Sequence, residues 1–409
     1  MSGLSRRAAV VVFLAFAFAY FFSALIRAIT ATLSPTLTRE FGLNASDLGL
    51  LAGCYFLGFA ATQLPLGNWL DRHGPKKVIL SFLSVAVAGC LAFSWASSFG
   101  GLLVARALCG VGVSACLMAP LTAYRRWFNP ATQLRANSWM LMSGSLGMVA
   151  STLPVQWLMP VLGWRPLFWG LAAMVLMSMA VIAWRVPAWQ SQPAKPKAQE
   201  GSYADVWRQP GFRKMVPLGF FNYGGLLAIQ TLWAVPWMIR VAGYTPVQAA
   251  QGLFWINVAM LITFWAWGLL NPWLAQRGLY AERLITLGLP ASLIMLAIII
   301  GAGANLSGWS AVLWALFCMA STFVSLAQPA VGMAFPAELA GRALSAYNLV
   351  IFSGVFAVQW GIGLLIDGFR ALGWTETGAF QGALGIFLAL CSASYGYFLA
   401  AKSHNQGHK

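Results

Sequence analysis

Long apolar runs alternate with short polar breaks along the whole chain. Apolar stretches extend from Ala8 to Pro35, Leu48 to Gly67, Val78 to Ser98, Leu102 to Ala123, Ala136 to Leu162 and Pro166 to Trp184. They resume from Met215 to Met238, Ala250 to Leu274, Leu284 to Ala304, Ser310 to Ala334, Leu344 to Ile366 and Ala379 to Ala401. Each is long enough for a helix to cross a hydrocarbon layer about 30 Å thick. The pattern predicts an all-α polytopic membrane protein with twelve transmembrane helices.

The one long polar stretch, rich in Pro, Gln and Lys, falls between the sixth and seventh runs and reads as a cytoplasmic linker. It divides the chain into an N-terminal six-helix half (1–185), the linker (186–213), a C-terminal six-helix half (214–401) and a short tail (402–409).

Composition agrees with this pattern: 60% of residues are hydrophobic and only 8% charged, which excludes a soluble domain. The net charge of +16 could suggest nucleic acid, but the basic residues stand singly or in pairs between apolar runs and form no stripe. They act as topology signals instead. Apart from Arg27 and Arg106, which lie inside runs, only Arg39, Arg165, Arg240 and Arg370 fall in the loops of one side. The remaining basic residues share the other side with both termini, so the termini are expected in the cytoplasm of a protein of the inner (plasma) membrane. The first run is too long and continues too smoothly to be a cleaved leader. The six cysteines are scattered singly, without CxxC spacing or a nearby His, and read as small core residues; no metal and no cofactor is expected.

Between the second and third runs lies GNWLDRHGPKKV, Gly67 to Val78. It resembles the signature loop of the major facilitator superfamily, G-x-x-x-D-R-x-G-R-[RK], with Pro75 in place of the first basic residue of the final pair. The runs and the linker extend this resemblance over nearly the whole chain. It implies a major facilitator fold whose two halves rock about a central site, with a loop latch built from Gly67, Asp71, Arg72, Gly74, Lys76 and Lys77. On the residues alone, Gly67 permits a close helix approach, and Asp71 is a lone carboxylate on a basic face. That carboxylate can pair with Arg125 or Arg126, or sit at a helix N-terminus. The plainer alternative is an exposed turn whose charges only set topology.

VARALCGVGVSA, Val104 to Ala115, resembles the fourth-helix motif of the same family, with Arg106 in its characteristic place and small residues suited to close packing. Arg106 is assigned a structural or coupling role, snorkelling to the outer surface included, and no substrate. The fifth run has SGSLGMVASTLPVQWLM where proton-drug antiporters of the family carry G-x-x-x-G-P-x-x-G-G. Uptake is therefore expected over efflux.

Arg27 stands alone in its run, with no other charge between Arg7 and Arg39. A guanidinium keeps its proton and must find a partner or water. YFFSALIRAITATLSP is similar to the first-helix segment of the family's organic-anion branch, which implies that Arg27 holds a carboxylate or phosphate. The alternative is that Arg27 reaches the outer interface. Tyr20, Gln230, Trp233, Asn257, Gln328 and Asn348 are candidate neighbours for the same solute, each also able to serve as a helix-to-helix contact. Pro236 interrupts the seventh run close to Gln230.

All nine carboxylates fall at helix ends or in loops, and the three histidines are cytoplasmic. Exchange, facilitated diffusion or a proton path through an end residue such as Asp47 fits this better than a buried proton carrier. No cluster of bases, nucleophiles or metal ligands supports an enzyme. The expected protein is a monomeric transporter of a small, anionic solute, with lipid and that solute as its partners. The alternatives are a proton-coupled exporter of drugs or metabolites and a non-transporting membrane sensor.

Overall fold

The computed structural model describes residues 5–128, 130–188 and 202–401, and every regular element among them is helical. The middle of the expected linker, 189–201, and the tail, 402–409, lie outside the described residues.

In chain order the helices that carry the apolar runs are α1 (Arg7–Phe41), α2 (Ala45–Ala61), α3 (Gln63–Trp95), α4 (Phe99–Trp127), α5 (Arg135–Ala150), α6 (Leu153–Leu162) and α7 (Trp164–Arg185). They are followed by α8 (Pro210–Arg240), α9 (Pro246–Asn271), α10 (Ala281–Asn305), α11 (Ser307–Met333), α12 (Leu339–Ala371) and α13 (Glu376–Ala400). Ten are long and apolar enough to cross a membrane; the bent pair α5 and α6, angled at 44°, and the shorter α2 bring the total to the twelve crossings expected.

Local chemistry explains where these helices break. Within α3 the backbone leaves helical geometry at Gly74, which has φ 76° and ψ 159°. A positive φ suits glycine, and Pro75 has no N–H to continue the preceding helix but fits the first turn of the next. The second crossing therefore runs through α2 into the start of α3, and the third begins at Pro75. At the α5–α6 bend, Pro154 sits in the first turn of α6, and the carbonyl of Ser151 accepts a hydrogen bond from Thr32 Oγ1 at 2.7 Å. In α8, Pro236 cannot donate to Leu232, and the preceding turn, Ile229–Trp233, widens to a π-turn in which the N–H of Ala234 reaches the carbonyl of Ile229.

The described residues form two compact units: one holds residues up to Leu33 and those from Cys54 to 188, the other Ser34–Gly53 and those from 202 onward. The helix α2 is thus shared, with Ala45–Gly53 grouped in the C-terminal unit and the remainder in the N-terminal one.

Packing in the N-terminal unit relies on missing side chains. A Cβ on Gly110 would meet the backbone of Tyr55 and Phe59, and one on Gly112 the backbone of Ala86, so α4 approaches both α2 and α3 to backbone contact. Gly67 has no such role, because nothing lies within 4 Å of its Cβ position; the expectation of close approach there is corrected, and the special glycine of the loop is Gly74.

In the C-terminal unit a short helix, Tyr203–Arg208, is closed by a reciprocal cap between Ser202 and Asp205. It packs Val206 into a cluster with Phe212, Leu218, Ile285 and Tyr347, so the end of the linker stretch is folded. Beside it the nearly buried Lys214 pairs with Glu282 at 2.9 Å and lies 4.6 Å from the centre of the Phe398 ring. Trp95, Trp184 and Trp309 stand exposed at helix ends, as suits an aromatic belt at a membrane interface.

Candidate functional site

The N-terminal unit surrounds Arg27 with groups that satisfy it only in part. Tyr20, Ser23 and Arg27 recur at spacings of three and four, which puts them on one face of α1. Tyr55 and Phe59, four apart on α2, face them. The hydroxyls of Tyr20 and Tyr55 flank the Arg27 guanidinium, and the Phe59 ring centre lies 5.7 Å from its carbon. Among the described residues no carboxylate pairs with Arg27. Its Nε, the Tyr55 hydroxyl and the Ser23 hydroxyl are buried and have no hydrogen-bond partner. A buried polar group left without a partner costs about 1–3 kcal/mol, and more when charged. The phenols and the Phe59 face offset part of that cost.

Arg106 lies in the same unit and is satisfied only in part as well, its Nε and Nη2 being buried without a hydrogen-bond partner. It is fully buried, donates from Nη1 to the Ile26 carbonyl at 2.9 Å, and places its guanidinium carbon 5.0 Å from the Tyr55 ring centre. Snorkelling to the outer surface is thereby corrected. Arg106 braces the α1 backbone one residue before Arg27 and supports the ring of Tyr55. Sequence reasoning missed Tyr55; the available signal was a tyrosine inside an apolar run, the same signal that singled out Tyr20.

The C-terminal unit holds the amide candidates, and they bond to one another. Gln230 donates to Asn257 at 2.8 Å, and Gln328 donates to Asn348 at 2.6 Å as a separate pair. Trp233 donates from its indole to the carbonyl of Gln359 at 3.1 Å, while the Gln359 side chain donates to Thr231 at 3.0 Å. Gln359, fully buried, is a second residue the sequence reading passed over. One donor on Asn257 and the side-chain oxygen of Gln359 remain unused. The π-turn that contains Gln230, Thr231 and Trp233 presents these groups. An open cavity of about 1030 Å³ in this unit is lined by Trp233, Pro236 and the charged residues Arg39, Arg240, Asp367 and Glu376, among others.

In the signature loop Asp71, Arg72 and Lys77 are exposed, as is Arg125, with Arg126 half-buried. Lys76 reaches from its Nζ to the carbonyl of Val186 at 2.7 Å, which ties the start of the third crossing to the end of α7.

The twelve helical crossings, the glycine-centred loop between the second and third and a charged residue held inside the first describe a polytopic transporter. The profile of the Major Facilitator Superfamily matches residues 16–359, and the chain belongs to that family. It is a multi-pass membrane transporter and not an enzyme. Among curated relatives, the chain is 27% identical over 361 residues to the inner membrane transport protein YajR of Escherichia coli strain K12, covering 85% of this chain and 73% of that one. It is 25% identical over 224 residues to the probable L-galactonate transporter of the same organism, covering 53% of this chain and 48% of that one. It is 24% identical over 282 residues to the purine ribonucleoside efflux pump NepI of Shigella dysenteriae serotype 1, covering 66% of this chain and 69% of that one. A solved bacterial homologue of the human lysosomal transporter Spinster superposes with a TM-score of 0.78 at 16% identity, covering 97% of this chain and 98% of that one, and shows the same fold.

Proposed function

We propose that the protein takes up a small organic anion, a carboxylate or a similar solute, by alternating access across the inner membrane, with both termini in the cytoplasm. The observation that carries this reading is Arg27: a guanidinium in the first crossing that lacks a carboxylate partner and lies between two phenols, one of them with an unused hydroxyl. A permanently charged, planar fork in a poorly solvated site suits a carboxylate, which accepts two parallel hydrogen bonds. In this reading Arg27 supplies the charge, Tyr55 and Tyr20 complete the contact through their hydroxyls, and Arg106 is a positioning residue. The similarity to a probable L-galactonate transporter fits an acidic solute. Asp71 and the basic residues of its loop act on the conformational equilibrium and not on the solute.

Export is the second reading, favoured by the similarity to NepI. Against it stands the fifth run, which lacks the antiporter glycines around Pro154. Thermal unfolding of the purified protein against a panel of small carboxylates, sulfonates, phosphates and purine nucleosides tests both. A ligand at a hundred times its dissociation constant stabilises by about 2.7 kcal/mol. Stabilisation by a carboxylate and not by its amide supports the anion reading; stabilisation by nucleosides alone rejects it.

A further inference from the structure

Two of the six cysteines, scattered singly along the sequence, meet in the fold. Cys90, in the last two turns of α3, and Cys109, about three turns into α4, are fully buried with their sulfurs 4.0 Å apart. Both helices belong to the N-terminal unit. Each thiol has the other as its hydrogen-bond partner and neither has another among the described residues, where no other two cysteine sulfurs are in such contact.

The backbones beneath the pair are already close. Gly89, beside Cys90, has no side chain, and a Cβ there would lie 2.7 Å from the Cys109 nitrogen and 3.0 Å from its sulfur. The Cys109 side chain thus occupies the space that any other residue at 89 would fill. About a turn away, Gly112 meets the backbone of Ala86 in the same manner. A disulfide holds its sulfurs about 2.05 Å apart and requires neighbouring backbones. Here the helices are in contact, and the approach still needed by the sulfurs is of the size that rotation about a Cα–Cβ bond supplies.

We propose that Cys90 and Cys109 are a preset dithiol, a modification site at which an organic hydroperoxide closes a disulfide between α3 and α4 in the folded protein. Such an oxidant partitions into the bilayer, as a buried site requires. One thiol, as its thiolate, attacks the terminal peroxide oxygen; the O–O bond breaks, a sulfenic acid forms, and the departing alkoxide takes the proton to become an alcohol. The second sulfur attacks the sulfenic sulfur, and the hydroxyl leaves as water with the second thiol's proton. Two thiols and one hydroperoxide become a disulfide, an alcohol and water, with two electrons passing from sulfur to oxygen.

Once closed, the link joins the third crossing to the helix that carries Arg106, the residue bracing the α1 backbone beside Arg27. It also closes a loop through the 96–98 connection, which restricts the unfolded chain and raises stability. On the orientation proposed above, the pair lies toward the outer side, away from the reductants that keep cytosolic thiols free. Neither the solute nor the direction of transport enters.

The test treats the full-length protein in native membranes with cumene hydroperoxide, traps the remaining thiols with N-ethylmaleimide after denaturation, and maps unreduced peptides by mass spectrometry. Met177, exposed in the middle of α7, is the gauge: treatment continues until its sulfoxide forms, so the oxidant has reached that depth. The expected result is a Cys90–Cys109 linked peptide in most of the protein, with the other four thiols free. Dithiothreitol should undo the link, and the oxidised protein, once purified, should melt several degrees above the reduced one. Cys90→Ser and Cys109→Ser should each show no link and no rise. Six free thiols after Met177 has been oxidised would overturn the proposal. So would a sulfinic or sulfonic acid at either cysteine without a link, a link to a different cysteine, or a link that forms only in denaturant. A link without a rise in melting temperature also overturns it, because the folded unit would then not be preset for closure.

Discussion

Among the described residues the two compact units treat their buried cations in opposite ways. Around Arg27 the N-terminal unit leaves a guanidinium nitrogen, a phenol and a serine hydroxyl without partners. In the C-terminal unit the amides pair among themselves, Gln230 with Asn257 and Gln328 with Asn348, and the nearly buried Lys214 has Glu282 at 2.9 Å, although the hydroxyls of Ser310 and Tyr347 are unpaired there too. Buried pairs of this kind hold helices in register, because removing one partner strands the other. Unpaired groups are costly to keep unless something else meets them part of the time. In the proposed reading a solute meets the Arg27 face, while the amide pairs serve chiefly to hold the helices together.

The largest effect should come from Arg27. Replacement by Gln removes a charge-assisted contact, a loss of about 2–5 kcal/mol, so uptake of the anion found by thermal screening should fall about 30-fold or more at equal amounts of folded protein. Arg27→Lys keeps the charge without the fork and should restore part of it. Full activity of the Lys variant would mean that Arg27 serves only as a charge near an interface.

A smaller loss should follow when Asp71 becomes Asn. If the loop acts on the conformational equilibrium, turnover should drop several-fold while solute affinity stays within about threefold. A change confined to affinity would place Asp71 in the solute site and spoil the division of labour.

Removing the hydroxyl in Tyr55→Phe costs one hydrogen bond to the anion, about 0.5–1.5 kcal/mol, which corresponds to roughly three- to tenfold weaker binding. The same change should leave the melting temperature of the unliganded protein unaltered or slightly raised, since the hydroxyl has no partner to lose. A clear fall in unliganded stability would show that the phenol is already satisfied.

The smallest transport effect is expected at the amide pairs. Gln230→Leu should lower stability by about 1–3 kcal/mol by stranding Asn257, and adding Asn257→Leu should recover part of that, with anion affinity changed by less than about threefold throughout. A tenfold loss of affinity in the single variant with unchanged stability would move the amides into the solute site.

How far these features could be read beforehand depended on whether the signal is local. Twelve crossings were legible because span length and apolarity are properties of contiguous sequence. The break between the second and third runs was legible for the same reason, and Arg27 stood out as a lone charge among apolar residues, but the seat of the break at Gly74 was passed over in favour of Gly67. Tyr55 and Gln359 were not legible, because a tyrosine or glutamine in an apolar run is as often a packing residue, and its role depends on which helix faces it. The partners of Gln230, Gln328 and Trp233 are tertiary facts of that kind, as is the open surround of Gly67, which the motif alone made a packing glycine.

The most direct test of the account is equilibrium binding of one carboxylate and its neutral amide to purified wild-type protein and to Arg27→Gln. The account predicts that the wild type prefers the carboxylate by about 30-fold or more and that this preference disappears in the variant, with the amide bound equally weakly by both. A variant that still binds the carboxylate as tightly as the wild type would contradict it.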